Sequence, residues 1–330
     1  MLLVGDIGGT KTDLAIYESG SNTNSPVARR QFRSADHVSL QAIVAEFLSD
    51  AKMSVDHATF DVAGPVINKS VTTTNLPWII DEHSLASELN LKSVQLMNDL
   101  EAVARAIPIL EDEDIVTLSV GEPVPKSAIG VIAPGTGLGE AFLAWHGSSY
   151  FPHGSEGGHA DFAPVEEKQI GLLEYLQTRF GHVSVERVCS GIGVPHIYEY
   201  LRDVVHISET PEVARLVAFA RDPTRVIIDA ATDPQNKMPL CRATIDMFVS
   251  ILASEAGNLA LKVLASGGIY LAGGIVSHML SVLREPAFMR AFTNKGRLSE
   301  LMKRIPVHVI IINAALLGAA TYALENQTDG

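Results

Sequence analysis

Three glycine-rich segments of the chain have the composition of loops that bind phosphate groups. They are Gly5, Asp6, Ile7, Gly8, Gly9 and Thr10; Gly135, Thr136 and Gly137; and Gly273 and Gly274. Glycine lets the backbone approach a phosphate closely and adopts positive φ angles. A lone Gly-Gly-Thr is more often an ordinary tight turn, and the first segment is neither a GxGxxG nor a Walker sequence. The recurrence of similar turns is what favours a nucleotide site.

Two of these segments indicate a weak internal repeat. Gly9-Thr10 and Gly135-Thr136 each lie between two apolar runs, which predicts a β-hairpin with a glycine turn. Two such hairpins would offer two sets of free backbone N–H groups, and these can hold a polyphosphate from both sides. Asp6, at the end of the first predicted strand, is a candidate for holding a hydrated Mg²⁺, because magnesium prefers carboxylates and retains waters.

A candidate general base follows another predicted strand. Asn98-Asp99 comes directly after the apolar run 94–97 and before a helical pattern. Ligands of open α/β sheets gather at the carboxyl ends of strands, and a carboxylate there can take a proton from a substrate hydroxyl. For the dipeptide alone, a simple helix N-cap is the better explanation.

Two further segments carry carboxylates suited to a polyhydroxylated ligand. Glu156 and His159 flank a Gly-Gly pair that predicts a tight turn with both side chains on one side, and Glu186 opens a later segment. Carboxylates accept hydrogen bonds from neighbouring sugar hydroxyls. The alternatives are an exposed loop for the first pair and a surface helix charge beside Arg187 for Glu186. A Glu/His metal site lacks a third ligand at a convincing spacing.

Strands and helices alternate along the chain, which predicts an α/β fold. The predicted strands cover 2–4, 14–17, 59–63, 94–97, 129–133, 141–144, 268–272 and 307–312, and the predicted helices cover 34–53, 100–107, 166–180, 240–265 and 314–324. The length of 330 residues suggests two domains.

Charge and composition exclude several classes of protein. The net charge of −13 argues against nucleic-acid binding, which depends on Lys and Arg at phosphates. Arg29, Arg30 and Arg33 form the densest basic cluster and are predicted to be a solvated patch. No signal peptide or membrane span is predicted, and two distant cysteines indicate reduced thiols, so we expect a cytoplasmic protein.

Taken together, the motifs resemble those of the bacterial-type glucokinase family. The matching segments keep the family's order and similar spacing over nearly the whole chain. They are GDIGGT (5–10), MNDLEAVARAIP (97–108), GTGLG (135–139), EGGHADFAP (156–164), GHVSVERVCSG (181–191), GNLAL (257–261), LAGGIV (271–276) and LLGAA (316–320). The segments at 156–164 and 181–191 are the specific ones, since GTGLG occurs in many sugar kinases.

The resemblance implies a fold and a reaction. The fold is the two-domain actin-like ATPase (ribonuclease H-like) fold of the hexokinase–actin–Hsp70 type, with an interdomain cleft. We expect a small α/β domain at 1–109 plus 313–330 and a large α/β domain at 110–312. The reaction is the transfer of the γ-phosphoryl group of ATP, with Mg²⁺, to the 6-hydroxyl of D-glucose. A homodimer is expected at the family level.

The resemblance also assigns roles to residues. Asp99 would be the general base, and Asn98, Asp99, Glu156, His159 and Glu186 would hold the sugar, with Asn75 at its border. Gly5 to Thr10 and Gly135 to Gly137 would face the phosphates, Gly273 and Gly274 would lie near the adenosine, and Asp6 would be in the outer shell of Mg²⁺.

Two features of the chain need comparison with related families, and two alternative functions remain open. Lys11 stands where family members often have Asn, and it could form a surface salt bridge or approach the phosphates. The related ROK-type proteins carry a zinc-binding cysteine cluster that two distant cysteines cannot form. Another hexose such as mannose or glucosamine could be the substrate, or the chain could be a non-catalytic sugar sensor. Retention of Asp99 speaks against the sensor, because sugar binding alone needs no base.

Overall fold

The computed structural model describes residues 1–21, 23, 25–73, 76–233, 235 and 238–326. The strands are β1 Leu2–Ile7, β2 Lys11–Tyr17, β3 Ala28–Arg33, β4 His57–Val62, β5 Ser70–Thr72, β6 Ile79–Asp81, β7 Ser93–Asn98, β8 Ile115–Ser119, β9 Ile129–Pro134, β10 Leu138–His146, β11 Ser149–Ser155, β12 Gly268–Leu271 and β13 Val307–Ile310.

The α-helices are interspersed with these strands, as an α/β fold predicts, although several of them follow one another without an intervening strand. They are α1 Leu40–Ala51, α2 Glu82–Glu88, α3 Asp99–Ala106, α4 Glu167–Gln177, α5 Gly193–Asp203, α6 Pro211–Phe219, α7 Pro223–Thr232, α8 Pro239–Val263, α9 Gly274–His278, α10 Leu280–Leu283, α11 Pro286–Thr293, α12 Ser299–Lys303 and α13 Ala314–Glu325. Within the described ranges, no helix combines the length and apolar character needed to cross a bilayer.

The chain divides into two compact units. The first comprises 1–111, 150–154 and 312–330, and the second comprises 112–149 and 155–311. The domain boundaries expected from the sequence, after residue 109 and before residue 313, lie beside these changes of unit. The short segment 150–154 was expected in the other domain.

The first unit is built on a sheet whose described strands run in the order β3-β2-β1-β4-β7. Leu3, Leu14 and Phe60 face α1 in one apolar cluster. Leu2 and Ala15 lie in a second cluster with residues of α3 and α13 on the opposite face. The alternation along each strand therefore buries both faces of the sheet.

The second unit repeats this strand arrangement. β9 and β10 form an antiparallel hairpin, β12 pairs parallel to β9, and β13 pairs parallel to β12. In the first unit β1 and β2 form the hairpin, and β4 and β7 follow in parallel. The two predicted hairpins with Gly-Thr turns are thus confirmed, each within its own sheet. The long helix α8 packs against α5, α7, α11 and β9.

One predicted helix is too long at its start. The pattern predicted a helix over 34–53, but residues 28–33 form β3, a 3₁₀ turn follows, and α1 begins at Leu40. The side chain of Ser39 accepts a hydrogen bond from the backbone N–H of Ala42 at 3.3 Å. This N-cap fixes the helix start, because it satisfies one of the N–H groups that the first turn leaves free.

Candidate functional site

The end of β7 places the predicted base at the start of a helix. Asn98 Oδ1 accepts hydrogen bonds from the backbone N–H groups of Leu100 and Glu101, at 3.0 and 3.2 Å. Asn98 Nδ2 donates to the carbonyl of Gly64 at 3.1 Å, which ties this strand end to the loop after β4. The predicted switch from strand to helix is confirmed, and most of the Asn98 amide is used in building it.

Asp99, the first residue of α3, has an unusually basic carboxyl. Part of its surface remains open to solvent, yet protein atoms surround most of the group. This burial raises the pKa of Asp99 to about 6, with a smaller contribution from Asp6, while the hydrogen bond from the Leu100 N–H at 2.9 Å opposes the shift. At neutral pH such a carboxylate is ionised and still a better proton acceptor than an ordinary aspartate.

Three aspartates form a row across neighbouring strands. Asp6 on β1 is the register partner of Asp13 on β2 and of Asp61 on β4. Register partners on adjacent strands present their side chains to the same face of a sheet. The row therefore brings three carboxyl groups together on the face that α3 and α13 cover. Sequence reasoning identified Asp6 alone; the signal for Asp61 was a carboxylate inside an otherwise apolar strand.

One end of this row is neutralised by Arg29. The guanidinium donates from Nε and Nη2 to Asp13, at 3.1 and 2.6 Å. Asn313 Nδ2 donates to Asp6 at 2.9 Å and to Asp13 at 3.4 Å. The predicted surface patch is confirmed, since Arg29, Arg30 and Arg33 are all exposed, but the Arg29 guanidinium is paired with Asp13 rather than only solvated. Pairing of β3 with β2 brings Arg29 to the buried Asp13, and the sequence pattern gave no sign of β3.

The environment of Asp6 suits a magnesium ion held through water. Its carboxyl is partly exposed, and burial raises the pKa of Asp6 while the hydrogen bond from Asn313 opposes the shift. Over the part of the chain that the structure describes, no three His, Cys, Asp or Glu side chains are grouped to hold a metal. A single carboxylate is nevertheless the donor set that Mg²⁺ uses when waters and phosphates complete its shell.

The turn between β1 and β2 is held by backbone and hydroxyl contacts. The N–H of Gly8 donates to the carbonyl of Lys11 at 2.9 Å, and Ser34 Oγ donates to the carbonyl of Gly8 at 2.7 Å. Gly9 is partly exposed and Thr10 is exposed at the tip. Lys11 is exposed at the start of β2. It makes no salt bridge to another described residue, so the surface salt bridge considered for Lys11 is not found in this part of the chain.

Gly5 and Ile7, predicted to face phosphates, are buried in the sheet. A Cβ at Gly5 would lie 2.6 Å from a Leu14 methyl and 2.8 Å from the ring of Phe60. The absence of a side chain at Gly5 therefore has a packing reason. Ile7 belongs to the apolar cluster on the same face.

In the second unit, two predicted nucleotide loops lie side by side. The N–H of Gly135 donates to the carbonyl of Gly137 at 2.8 Å, and the N–H of Gly191 donates to the carbonyl of Gly135 at 2.7 Å. Gly273 has φ +94°, and a Cβ there would lie 2.8 Å from the carbonyl oxygen of Pro134. Only glycine fits this close approach without strain.

The open side of these loops is accessible. Thr136, Gly273 and Gly274 are exposed, and a Cβ added to Gly274 would meet nothing within 4 Å. The carboxyl ends of β9 and β12 thus carry adjacent turns with free surface. Such strand ends are where open α/β sheets bind ligands.

The predicted sugar-binding segments are joined by backbone pairing. The N–H of Phe162 donates to the carbonyl of Val183, and the N–H of Val185 donates to the carbonyl of Ala160, both at 3.0 Å. This pairing brings the segments around His159 and Glu186 together, although they are distant in sequence. It is a tertiary contact that the spacing of the motifs did not reveal.

The side chains where these two segments meet differ in their exposure to solvent and in their hydrogen bonds. Glu156 and His159 are 80% and 64% exposed, with His159 Nε2 at 3.9 Å from Glu156 Oε2. Glu186 is partly buried, and its Oε2 accepts a hydrogen bond from the N–H of Leu138 at 2.9 Å. His159 and Glu186 both line an open pocket of about 420 Å³. Asn75, the remaining predicted sugar neighbour, lies outside the described residues.

A buried carboxyl beneath this junction was missed by the sequence analysis. Glu140, on β10, is 1% exposed, and its Oε1 has no hydrogen-bond partner among the described residues. A Cβ at Gly157 would collide with its carboxyl, so Glu140 lies directly under the turn. Burial, with a smaller contribution from Glu255, raises the pKa of Glu140 to about 7.

Glycine turns at strand ends and a basic carboxylate are suited to phosphoryl transfer to a hydroxyl group, so the site defines the class of protein as an α/β phosphotransferase.

The fold is similar to a glucokinase from an Antarctic psychrotroph, with a TM-score of 0.80, 32% identity and 98% of each chain covered. It is also similar to the glucokinase of Balamuthia mandrillaris, solved in complex with glucose, with a TM-score of 0.80, 20% identity, and 98% of this chain and 93% of that one covered.

The sequence comparisons define the family. The family model described as Glucokinase matches residues 3–326. The glucokinase of Nostoc punctiforme is 40% identical over 338 residues, which cover 98% of both chains. The chain belongs to the glucokinase family.

Proposed function

We propose that this chain phosphorylates D-glucose at its 6-hydroxyl, with ATP as the donor and Asp99 as the general base. The observation that carries the proposal is the basic carboxyl of Asp99 at the end of β7, in a chain of the glucokinase family. A sugar sensor would need hydrogen-bonding groups but no base poised near neutral pH. The buried, basic setting of Asp99 therefore favours catalysis over binding alone.

Positioning and charge neutralisation do most of the work in phosphoryl transfer. Asp99 accepts the proton of the 6-hydroxyl as that oxygen attacks the γ-phosphorus, and the bond from the γ-phosphorus to the β,γ-bridging oxygen breaks so that ADP leaves. Asp6 would hold Mg²⁺ through water, and the ion when bound supplies charge neutralisation at the phosphates. The turns at 8–10 and 135–137 face the phosphates, to which they offer N–H groups other than those of Gly8 and Gly135, which are bonded within the turns. Gly273-Gly274 borders the adenosine.

The sugar is held by Glu156, His159 and Glu186, with Asn98 and Asn75 as further contacts. The exposed Glu156 and the pocket shared by His159 and Glu186 support this assignment. We further propose that the two units form the two-domain fold of the hexokinase–actin–Hsp70 type. A cytoplasmic homodimer remains a prediction from the sequence.

A coupled assay of ADP release tests the function. We expect turnover with glucose and Mg-ATP, and a much lower kcat/KM with mannose and glucosamine. A higher kcat/KM with either of those hexoses would reassign the substrate. Glucose binding without any ADP release would instead identify a sensor.

A further inference from the structure

Two cationic side chains face each other beside the turn that joins β1 and β2. Lys11 is the first residue of β2, Arg33 is the last residue of β3, and the two are register partners. Register partners present their side chains to the same face of a sheet, with Cβ atoms about 4.5–5.5 Å apart. Both residues are exposed, and neither side chain makes a hydrogen bond or an ion pair with a described residue.

The other two arginines of β3 show what this pair lacks. Arg29 donates to the carboxylate of Asp13 from two nitrogens, and Arg30 pairs with two carboxylates of α1. The net charge of the chain is −13, so carboxylates are abundant, yet none neutralises Arg33 within the part of the chain that the structure describes. Like charges directly opposite each other destabilise a sheet. An anion bound between the two cations would remove that repulsion.

Backbone and hydroxyl contacts fix this pair against the glycine turn. The N–H of Ser34 donates to the carbonyl of Thr10 at 3.1 Å, and Ser34 Oγ donates to the carbonyl of Gly8 at 2.7 Å. The N–H of Gly8 donates to the carbonyl of Lys11 at 2.9 Å. The end of β3 is therefore held to the turn at 8–10, and Arg33 lies next to it.

The pair also lies on the same face of the sheet as Asp6. Side chains alternate along a strand, so Lys11 shares a face with Asp13, two residues later on β2. Asp13 is the register partner of Asp6 on β1. The carboxylate proposed to hold Mg²⁺ through water and the two cations are thus at one end and on one face of the sheet.

We infer that Lys11 and Arg33 bind the phosphate groups of the nucleotide donor as a pair. The inference rests on the proposed function, which places the turn at 8–10 at the phosphates. The N–H of Gly8 is already bonded within this turn, so the two side chains supply donors that its backbone lacks. An ammonium group acts as a point charge on a phosphate, and a guanidinium group can donate two parallel hydrogen bonds to its oxygens.

Nucleotide affinity tests the inference without turnover. Lys11→Gln and Arg33→Gln each remove one positive charge and keep a polar side chain of similar length. In calorimetry with ATP, with and without Mg²⁺, we expect the Kd to rise about fivefold for each and about twentyfold for the double variant, as for exposed ion pairs at the upper end of their range. Lys11→Arg keeps the charge and should stay within about twofold of wild type.

Arg30→Gln is the matched control. Arg30 lies on the same strand as Arg33, but it faces α1, and its substitution removes the same charge. We expect the Kd of Arg30→Gln for ATP to stay within about twofold of wild type, because its partners are carboxylates of the protein. A loss of affinity as large as that of Arg33→Gln would show that overall charge is responsible, and it would overturn the inference.

A set of probes identifies the ligand that the pair binds. Inorganic tripolyphosphate should lose affinity for the double variant by about the same factor as ATP, and the affinity for adenosine should not change. A loss confined to glucose 6-phosphate would assign the pair to the product and overturn the inference. Wild-type affinity of the double variant for ATP and tripolyphosphate would overturn it as well.

The salt dependence of binding separates a direct contact from a structural role. Exposed charges are screened by salt, so the loss of two phosphate contacts should make the Kd of the double variant for ATP less dependent on salt between about 50 and 300 mM. Thermal unfolding without ligand should occur at a Tm no lower than that of wild type, since the substitutions relieve repulsion. A lower Tm with an unchanged salt dependence would mean a structural role and refute the inference.

Steady-state kinetics distinguish failure of this inference from failure of the proposed function. If the wild type releases no ADP with any hexose, the proposed reaction fails, and the affinities for ATP and tripolyphosphate still decide whether the pair binds phosphate. If the wild type turns over glucose and the double variant keeps the wild-type KM for Mg-ATP, the reaction stands and the pair has no role in it. We expect that KM to rise and the KM for glucose to stay unchanged.

Discussion

In the first unit, Asp6, Asp61 and Asp99 lie close together, and burial raises the pKa of each. In the second unit, Glu156 keeps 80% of its side chain exposed, and the neighbouring His159 keeps 64%. A proton acceptor gains from burial, because desolvation disfavours its charged form and makes it more basic. A ligand for sugar hydroxyls gains from exposure, because its oxygens remain free to accept hydrogen bonds.

Glu140 is an exception to this difference between the two units. It lies in the second unit, directly under the exposed turn, yet it is almost as buried as Asp61 and more buried than Asp6 and Asp99. Its pKa is raised for the same physical reason, but its buried carboxyl offers no surface to a substrate. Burial alone therefore shifts a pKa, and access to the reacting atoms is what makes such a group a candidate base.

Replacement of the base should have the largest effect. Asp99→Asn keeps a hydrogen-bonding side chain but cannot accept the proton, so we expect kcat to fall by about 10²–10⁴. Glucose affinity, measured by calorimetry, should stay within a few-fold of wild type. A kcat close to that of the wild type would show that Asp99 has only a structural role at the start of α3.

Glu140 should affect stability rather than the reaction. Its folded pKa of about 7 exceeds the ordinary 4.5, so the folded protein keeps a proton that the unfolded chain releases in this window. Stability should thus fall as pH rises from about 4.5 to 7. Glu140→Gln removes this loss and should raise the free energy of unfolding at pH 8 by up to about 3 kcal/mol.

Urea unfolding at pH 5 and pH 8 measures this difference. Glu174→Gln, an exposed glutamate on α4 in the same unit, is the matched control and should unfold like wild type at both values. If Glu140→Gln keeps the wild-type pH dependence, the carboxyl is not protonated in the fold.

The carboxylates of Glu156 and Glu186 should affect sugar binding. Glu156→Gln and Glu186→Gln each weaken a charged hydrogen-bond acceptor, and we expect the Kd for glucose to rise about tenfold or more. Nucleotide affinity, measured separately, should be unchanged. Glu186→Gln has the additional effect of weakening the contact to the Leu138 N–H, so equal loss of both affinities would point to a structural role.

A change of pH near neutrality should have a smaller effect on kcat than any of these substitutions. The base must be ionised, so kcat should be almost constant above pH 7 and should fall as the pH drops through about 6. Well below that value, kcat should decrease about tenfold for each pH unit. Stopped assays between pH 5 and 8 measure this limb. A midpoint near 4, the range of an ordinary aspartate, would show that burial does not tune Asp99.

The local pattern predicted much of the fold. Apolar runs and glycine turns were sufficient for both hairpins, for the strand end at Asn98 and for the long helix α8, because each is set by neighbours in sequence. The start of α1 was missed because the capping hydroxyl of Ser39 outweighs a periodic pattern that extends beyond it.

The sequence by itself determined which residue types stand at strand ends and turns: Asp6, Asp99, the Gly-Thr pairs, and Glu156 with His159. Only the tertiary structure decided how those groups behave. It paired Arg29 with Asp13, left Asp61 without a cation beside Asp6, and placed Glu140 under Gly157. The physical reason is that a pKa depends on burial and on charges across neighbouring strands, and the register that brings those charges together joins residues far apart in the chain.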